Sequence, residues 1–160
     1  MKLAAILIGL VTSTSCSMQK DDAAQLTDTR ESKYQIGQVW QYKTRPAEPK
    51  STLTIFKVEQ SPKDGVIVHV SIDGLQMANP QNLSGASNSI GHMPFAEAAI
   101  DSSVTALLKS NQVVTADFMD GYNYWREAFL AGKGGIFSVP VKEAVAYSEE
   151  TVTTGKRTAE

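Results

Sequence analysis

Alternation of apolar and polar positions predicts three strands early in the chain. The first runs from Gln38 to Thr44 and the second from Ser51 to Gln60, a stretch rich in β-branched and aromatic residues. In the second, the apolar register shifts between Ile55 and Phe56, which indicates a bulge or two partly covered faces. The third, residues 66–73, has Val or Ile at every other position, so one face of this strand is expected to be buried.

The connections after these runs differ in length and composition. Residues 61–65 read Ser-Pro-Lys-Asp-Gly, which predicts a tight turn and an antiparallel hairpin, so that the three strands form a meander. Residues 77–91 are rich in Asn, Ser and Gly and show no period, which predicts a long loop. Because long loops within compact domains are often functional, the segment 77–97 is a candidate rim for a small-ligand or catalytic site.

Helical spacing of apolar residues predicts three helices in the second half of the chain. The first spans residues 94–109 and begins at a proline, where the first turn loses no hydrogen bond. The second spans residues 117–131 and the third follows Pro140, while the apolar residues 136–139 offer one further strand. These elements predict an α+β domain, in which a small antiparallel sheet, built on the three-stranded meander, is covered on one face by helices.

Aromatic residues are concentrated in the second predicted helix. Tyr122, Trp125 and Phe129 recur at helical spacing, which predicts that they bury this helix against the sheet. Other aromatic and arginine residues lie outside that stripe, and these residue types are enriched at protein interfaces. We therefore predict a binding surface drawn from Trp40, Tyr42, Arg45, His92, Tyr124 and Arg126.

The first fifteen residues have the layout of a signal peptide. Lys2 is followed by nine apolar residues, 3–11, and then by small polar residues up to Cys16. Nine helical residues span about 13 Å, less than half of a hydrocarbon core of roughly 30 Å. Residues 1–15 are therefore predicted to be a signal peptide and not a transmembrane helix.

Cys16 stands where bacterial lipoproteins carry the cysteine that receives the lipid. The tetrad Ser-Thr-Ser-Cys at residues 13–16 resembles a lipobox, although Ser13 replaces the usual Leu. This resemblance implies a lipid attachment, palmitate included, at Cys16 and a place in the bacterial cell envelope. Ser17 favours the outer membrane, facing the periplasm. The alternative is cleavage of an ordinary signal, which leaves a soluble periplasmic or secreted protein.

Composition predicts one domain behind this leader. Residues 16–35, the lipidated N-terminus and the polar stretch after it, are expected to form a flexible tether. Residues 36–152 are expected to form a single α+β domain, and residues 153–160 a disordered tail. The chain has one cysteine, so this domain is not held by an internal disulfide.

Charge argues against a nucleic-acid partner. Loss of Lys2 with the signal leaves 14 basic and 17 acidic residues, a formal charge of −3. Nucleic-acid binding proteins normally show a basic patch or stripe, which this chain lacks.

Motifs for catalysis are missing. There is no Gly-x-Ser-x-Gly elbow and no phosphate-binding loop, so we predict no catalytic residue and no cofactor. His92 with Glu97 and Asp101 on the first predicted helix is a possible metal site, but carboxylates at a helix start are better explained by the helix dipole. We therefore predict no metal.

Four segments carry a resemblance to a group of small bacterial proteins. They read VWQYKTRPAEPKSTLTIFKVE, VIVHVSIDGL, IGHMPF and GYNYWREAFLAGKGGIFSVPVKEAV, and they span Gly37 to Val145 in the same order. The resemblance implies no activity or ligand. Members of that group often have no export signal, so the leader is a departure from their pattern.

These features predict a non-enzymatic envelope lipoprotein. Its partners are expected to be the membrane, through the N-terminal lipid, and a protein or other component of the envelope. Two alternatives stay open, namely an immunity or inhibitor protein in the periplasm, and a small-ligand binder or enzyme that uses the 77–97 segment.

Overall fold

A computed structural model describes residues 25–155 of the chain. The predicted signal peptide, Cys16 and the last five residues lie outside this range. The elements in chain order are β1 Thr27–Asp28, β2 Val39–Tyr42, β3 Thr52–Ser61, β4 Gly65–Ala78, β5 Ala86–Ala96, α1 Glu97–Ser103, β6 Val104–Lys109, α2 Ala116–Leu130 and α3 Val141–Thr154.

The strands form one antiparallel sheet, which confirms the α+β prediction. Its order is β5-β4-β3-β2-β6, and β1 pairs with β3 beyond the end of β2. The predicted meander is present as β2, β3 and β4. The predicted sheet was nevertheless too small, because residues 25–155 contribute six strands.

The hairpin between β3 and β4 was predicted correctly. Ser61 pairs with Gly65 across the turn, and Gly65 has a φ of 72°, which glycine adopts without the strain of a Cβ. The register of β3 against β4 shifts between Ile55 and Lys57, which confirms the bulge. Its effect is that Ile55 and Glu59, four residues apart, face opposite sides of the sheet.

The prediction of a long loop at residues 77–91 was wrong. Strand β4 continues to Ala78, and β5 begins at Ala86 and pairs with it, so only residues 79–85 form the connection. A strand pairs through its backbone, so residues 86–89, which read Ala-Ser-Asn-Ser and are largely exposed, join the ladder although they show no apolar alternation.

The prediction of a helix over residues 94–109 was also wrong. Pro94 lies in β5, and α1 occupies only Glu97–Ser103. At Val104 the backbone becomes extended, with φ −70° and ψ 150°, and β6 pairs with β2. The β-branched residues Val104 and Thr105 suit a strand, and β6 satisfies backbone groups that β2 would otherwise leave unpaired.

Helices α2 and α3 match the predicted second and third helices, but the helices cover both faces of the sheet and not one. One face packs against α1 and α3 through a core that includes Leu53, Val70, Ile100, Val141 and Val145. The other face packs against α2 through Phe56, Ile67, Phe118, Tyr122, Trp125 and Phe129. Strand β4 therefore contributes to both cores, and its two faces are both buried along most of its length.

Residues 136–139 add no full strand to the sheet. Phe137 forms a parallel bridge with Phe95, in which Phe137 N–H donates to Pro94 O at 2.9 Å and Ala96 N–H donates to Phe137 O at 2.9 Å. This bridge connects the segment after α2 to the end of β5.

The folded part of the chain begins before the predicted boundary at Ile36. Ser32 and Tyr34 are buried, and their hydroxyls donate to Glu97 at 2.6 Å and to Asp101 at 2.5 Å. The end of the predicted tether is therefore packed on α1. At the other end, α3 continues two residues past residue 152, to Thr154.

Within residues 25–155, no helix is long and apolar enough to span a bilayer.

Candidate functional site

Two histidines that lie 23 residues apart in sequence are in contact below α2. His69 Nδ1 is 3.0 Å from His92 Nε2, and the two rings stack with their centroids 5.3 Å apart. His69 is fully buried. The alternation in β4 had suggested a polar, solvated face at this position, but α2 covers that face.

A bulge in β5 directs His92 toward this contact. Val70 pairs with Met93 whereas Ile72 pairs with Ile90, so β5 has one residue more than β4 at this point. On the other side, Gly121 of α2 lies against His92, where a Cβ would be only 2.8 Å from His92 Cβ. The glycine thus allows the helix to approach the histidine closely.

Glu59 lies at the inner end of this pair. Its Oε2 is 3.1 Å from His69 Nε2, and the Tyr122 hydroxyl donates to both carboxylate oxygens at 3.0 Å. Lys57 Nζ is 3.5 Å from Oε1. We call Glu59, His69, His92 and Tyr122 the buried polar network.

The surroundings of the buried polar network shift the pKa of each titrating group. Burial lowers the pKa of His69, against the opposing effect of the Glu59 carboxylate. Burial, together with the neighbouring His69, lowers the pKa of His92 to about 3. Burial alone would raise the pKa of Glu59, but contacts with His69, Lys57 and Tyr122 outweigh it and the pKa is lowered. At neutral pH the network therefore holds two neutral rings and one carboxylate.

Aromatic rings enclose the buried polar network. Trp125 and Tyr122 lie 4.8 Å and 5.3 Å from the His69 ring, and Phe118 lies 5.4 Å from His92, measured between ring centroids. Burial of Tyr122, Trp125 and Phe129 confirms the predicted stripe. Enclosed in this way, the network joins α2 to the sheet. His69 is fully buried and His92 half-buried, and neither histidine lines the cleft described next.

A polar cleft of about 480 Å³ lies beside the network, on the same face of the sheet. The floor of the cleft consists of two rows of side chains that run across neighbouring strands. In one row Thr54 pairs with Ser71, and in the other Asp73 pairs with both Thr52 and Ser89. The walls come from β6, from the following segment and from the start of α2, and they include Leu108, Lys109, Gln112, Thr115 and Asp117. We call this space the sheet cleft.

Several polar groups of the sheet cleft have no partner in residues 25–155. Thr54 and Ser71 are 4% and 7% exposed, yet neither hydroxyl forms a side-chain hydrogen bond within that range. The Asp73 side chain is exposed, and its carboxylate has no ion pair or hydrogen bond there either; partial desolvation in the cleft raises its pKa. These atoms are free to bind a group that enters the cleft.

A second concave region, of about 690 Å³, lies at the β4–β5 hairpin. It overlaps the segment 77–97 that we predicted as a rim. Here the polar side chains bind one another: Asn79 and Asn82 each donate to Ser87 at 2.8 Å. These bonds hold the hairpin together.

The six residues of the predicted binding surface lie in different places. Tyr42 is in the core, with its hydroxyl 2.8 Å from Ser51 Oγ, and Trp40 packs edge-on against Tyr34. Tyr124 and Arg126 are exposed on the outer side of α2, with Tyr124 76% accessible. His92, as described, belongs to the buried polar network.

Arg45 binds carboxylates. It forms a bidentate pair with the buried Glu48, at 2.6 Å and 3.0 Å, and it also contacts Glu149 of α3. Glu48 in turn accepts from the backbone N–H of Gln76 at 2.8 Å. Arg45 therefore connects the segment after β2 to α3 and β4. The sequence around Arg45 did not indicate this structural role.

The possible metal site at His92, Glu97 and Asp101 is not assembled. Glu97 and Asp101 bind Ser32 and Tyr34, while His92 faces His69. Among residues 25–155, no group of three or more His, Cys, Asp or Glu side chains is arranged to hold a metal ion.

An exposed apolar region surrounds β6. It was not predicted, because helical spacing had indicated a helix over residues 94–109, which include Leu107 and Leu108. Leu107 and Leu108 are 46% and 49% exposed, and Val113 is 76% exposed. Ile36 adjoins them, because Gln112 N–H donates to Gly37 O at 3.0 Å. We call Ile36, Leu107, Leu108 and Val113 with β6 the β6 edge surface.

Comparison with protein-family models, with curated proteins and with solved structures finds no match to this chain.

Proposed function

We propose that this protein is an envelope lipoprotein whose domain binds another protein by strand addition at β6. The observation that carries the proposal is the outer edge of β6. Strand β6 pairs with β2 on one side, and nothing within residues 25–155 pairs with its other side.

An open strand edge presents unpaired N–H and C=O groups to any extended segment that approaches. Protein sheets usually protect such an edge with charges, prolines, bulges or a covering element. Here the edge strand reads Val-Thr-Ala-Leu-Leu-Lys, with one charge at its end and no proline, and its ladder with β2 is bulged at Thr105 and Leu108. This composition favours pairing.

The neighbouring apolar side chains supply the rest of an interface. In strand addition, main-chain hydrogen bonds provide affinity, and side chains on alternate faces provide specificity. Leu107 pairs with Trp40, and Leu108 is the extra residue of a bulge between Trp40 and Val39, so the two exposed leucines offer adjacent apolar contacts at this edge. The expected partner is therefore an extended segment with apolar side chains.

The substitution Leu107→Lys tests this proposal. Tyr147→Lys on α3 is the matched control, because Tyr147 is 45% exposed and Leu107 46%. We expect the wild-type chain and the Tyr147→Lys control to capture the same envelope protein with equal affinity. For Leu107→Lys we expect the affinity for that protein to fall at least about tenfold, the loss typical of an interface hot spot. Equal capture by all three chains would contradict the proposal.

A self-associating edge would give a different result. If the wild-type chain is a dimer in light scattering and Leu107→Lys makes it a monomer, a second copy occupies β6, and the proposal of a foreign partner fails.

The anchor has its own test in Cys16→Ala. Lipidation at Cys16 predicts that the wild-type chain incorporates labelled palmitate and sediments with membranes, and that the variant does neither. Unchanged membrane association of the variant would exclude Cys16 as the anchor, whether or not β6 binds a protein.

A further inference from the structure

The floor of the sheet cleft is rich in unused hydrogen-bond acceptors. Thr54 and Ser71 pair across β3 and β4, both residues are more than nine-tenths buried, and neither hydroxyl has a hydrogen-bond partner in the described residues. One row further along, the exposed Asp73 carries a carboxylate that is unpaired in that part of the chain. Three acceptors of three neighbouring residues therefore converge on one space.

The charges that line the cleft favour a cation. The lining contains two carboxylates, Asp73 and Asp117, and one cation, Lys109. The positive end of the α2 dipole does not reverse this balance, because Thr115 caps the helix by accepting from Phe118 N–H and Asp117 occupies the first turn. An anion in the cleft would face Asp73 without a bound counter-charge.

We propose that the sheet cleft binds a small cation through an ammonium or guanidinium group. Such a group brings several N–H donors, which match the Asp73 carboxylate and the hydroxyls of Thr54 and Ser71. A volume of about 480 Å³ suits a small molecule or one long side chain. The apolar lining residues Phe56, Ile90 and Leu108 would contact the aliphatic part of that ligand.

This inference does not depend on strand addition at β6, although Leu108 belongs to the β6 edge surface and also lines the sheet cleft. Asp73 lies on β4, which β3 and β2 separate from β6, so a strand added at the outer edge lies about four strand spacings, roughly 19 Å, from it. The cation is either a free amine or a basic side chain of a peptide, and both sources present the same chemistry to the cleft.

Titration of the isotope-labelled full chain, followed by amide chemical shifts, tests the proposal. The probes are spermidine as a free amine and N-acetyl-lysine methylamide as a side-chain mimic, with glycerol and acetate as neutral and anionic comparisons at constant ionic strength. We expect saturable shifts for at least one cationic probe, centred on Thr52, Thr54, Ser71 and Asp73. The probe with the higher affinity identifies the source of the cation.

Two variants and one control locate the contact. Asp73→Asn keeps the shape but removes the charge, and it is expected to weaken binding at least about tenfold, whereas Ser71→Ala is expected to weaken it about fivefold. Asp120→Asn, an exposed carboxylate on α2 outside the cleft lining, is expected to leave affinity unchanged. The proposal is wrong if cations cause no saturable shift, if glycerol or acetate binds as well as they do, or if Asp73→Asn binds like wild type.

Discussion

Replacing Glu59 by alanine is expected to lower the free energy of unfolding by about 4 kcal/mol. The substitution removes the acceptor of the Tyr122 hydroxyl and the carboxylate beside His69, and both partners stay buried under α2. Leaving a buried hydrogen-bonding group without its partner typically costs about 1–3 kcal/mol, and here the Tyr122 hydroxyl and the neutral His69 ring both lose the carboxylate. The lost packing of a side chain that is 4% exposed adds to this cost.

Urea denaturation at pH 7.5, followed by circular dichroism, measures this loss. Glu59→Gln should be destabilised less than Glu59→Ala, because an amide oxygen still accepts from Tyr122 while the charge is lost. Glu143→Ala, on the exposed side of α3, is the control and is expected to change stability by less than about 0.5 kcal/mol. A loss below 1 kcal/mol for Glu59→Ala would show that the buried polar network does not stabilise the attachment of α2.

Acid is expected to destabilise the domain from pH 6.5 downward. His92 has an ordinary pKa of 6.5 and a pKa of about 3 in the folded protein, and the pKa of His69 is also lowered. Below pH 6.5 the unfolded chain therefore binds protons that the folded chain does not, and the equilibrium moves toward the unfolded state. Between its unfolded and folded pKa values, His92 lowers the free energy of unfolding by about 1.4 kcal/mol per pH unit, and His69 acts in the same direction.

The pH range of this effect follows from the same values. Stability is unchanged by these histidines above pH 6.5 and falls until the folded pKa is reached, near pH 3 for His92. Glu59 also lowers the free energy of unfolding in acid, but at lower pH than the histidines. Its pKa is lowered from 4.5 in the folded protein, so the stability that it contributes is lost as the pH falls through its folded pKa. Between pH 6.5 and 4.5, one histidine alone accounts for roughly 3 kcal/mol.

Unfolding measured in urea at several pH values between 7.5 and 4.5 tests this expectation. The variant His92→Gln does not titrate at this position, so the slope of its stability against pH should be smaller by about 1.4 kcal/mol per unit. A wild-type stability that does not change between pH 7 and 5 would contradict the assignment of two neutral rings, the buried His69 and the half-buried His92.

Side-chain patterns along short stretches predicted much of the architecture. The shift of apolar register in β3 is a property of adjacent residues, and the bulge between Ile55 and Lys57 follows from it. The turn residues at 61–65 and the aromatic stripe of α2 are likewise local signals, and both were predicted correctly. The buried polar network was not found, because Glu59 and His69 lie on the outer positions of strands that alternate with an apolar face, the usual pattern of a solvated side.

The sequence by itself thus determined the α+β class, the meander of β2 to β4 and the two long helices, because periodicity and turn chemistry act within a few residues. Only the tertiary structure decided that residues 104–109 form β6, since the open edge of β2 outweighs their helical spacing. It also decided that α2 covers the second face of the sheet. That contact turns His69 and Glu59 from polar strand positions into a buried network, and it leaves the sheet cleft open beside them.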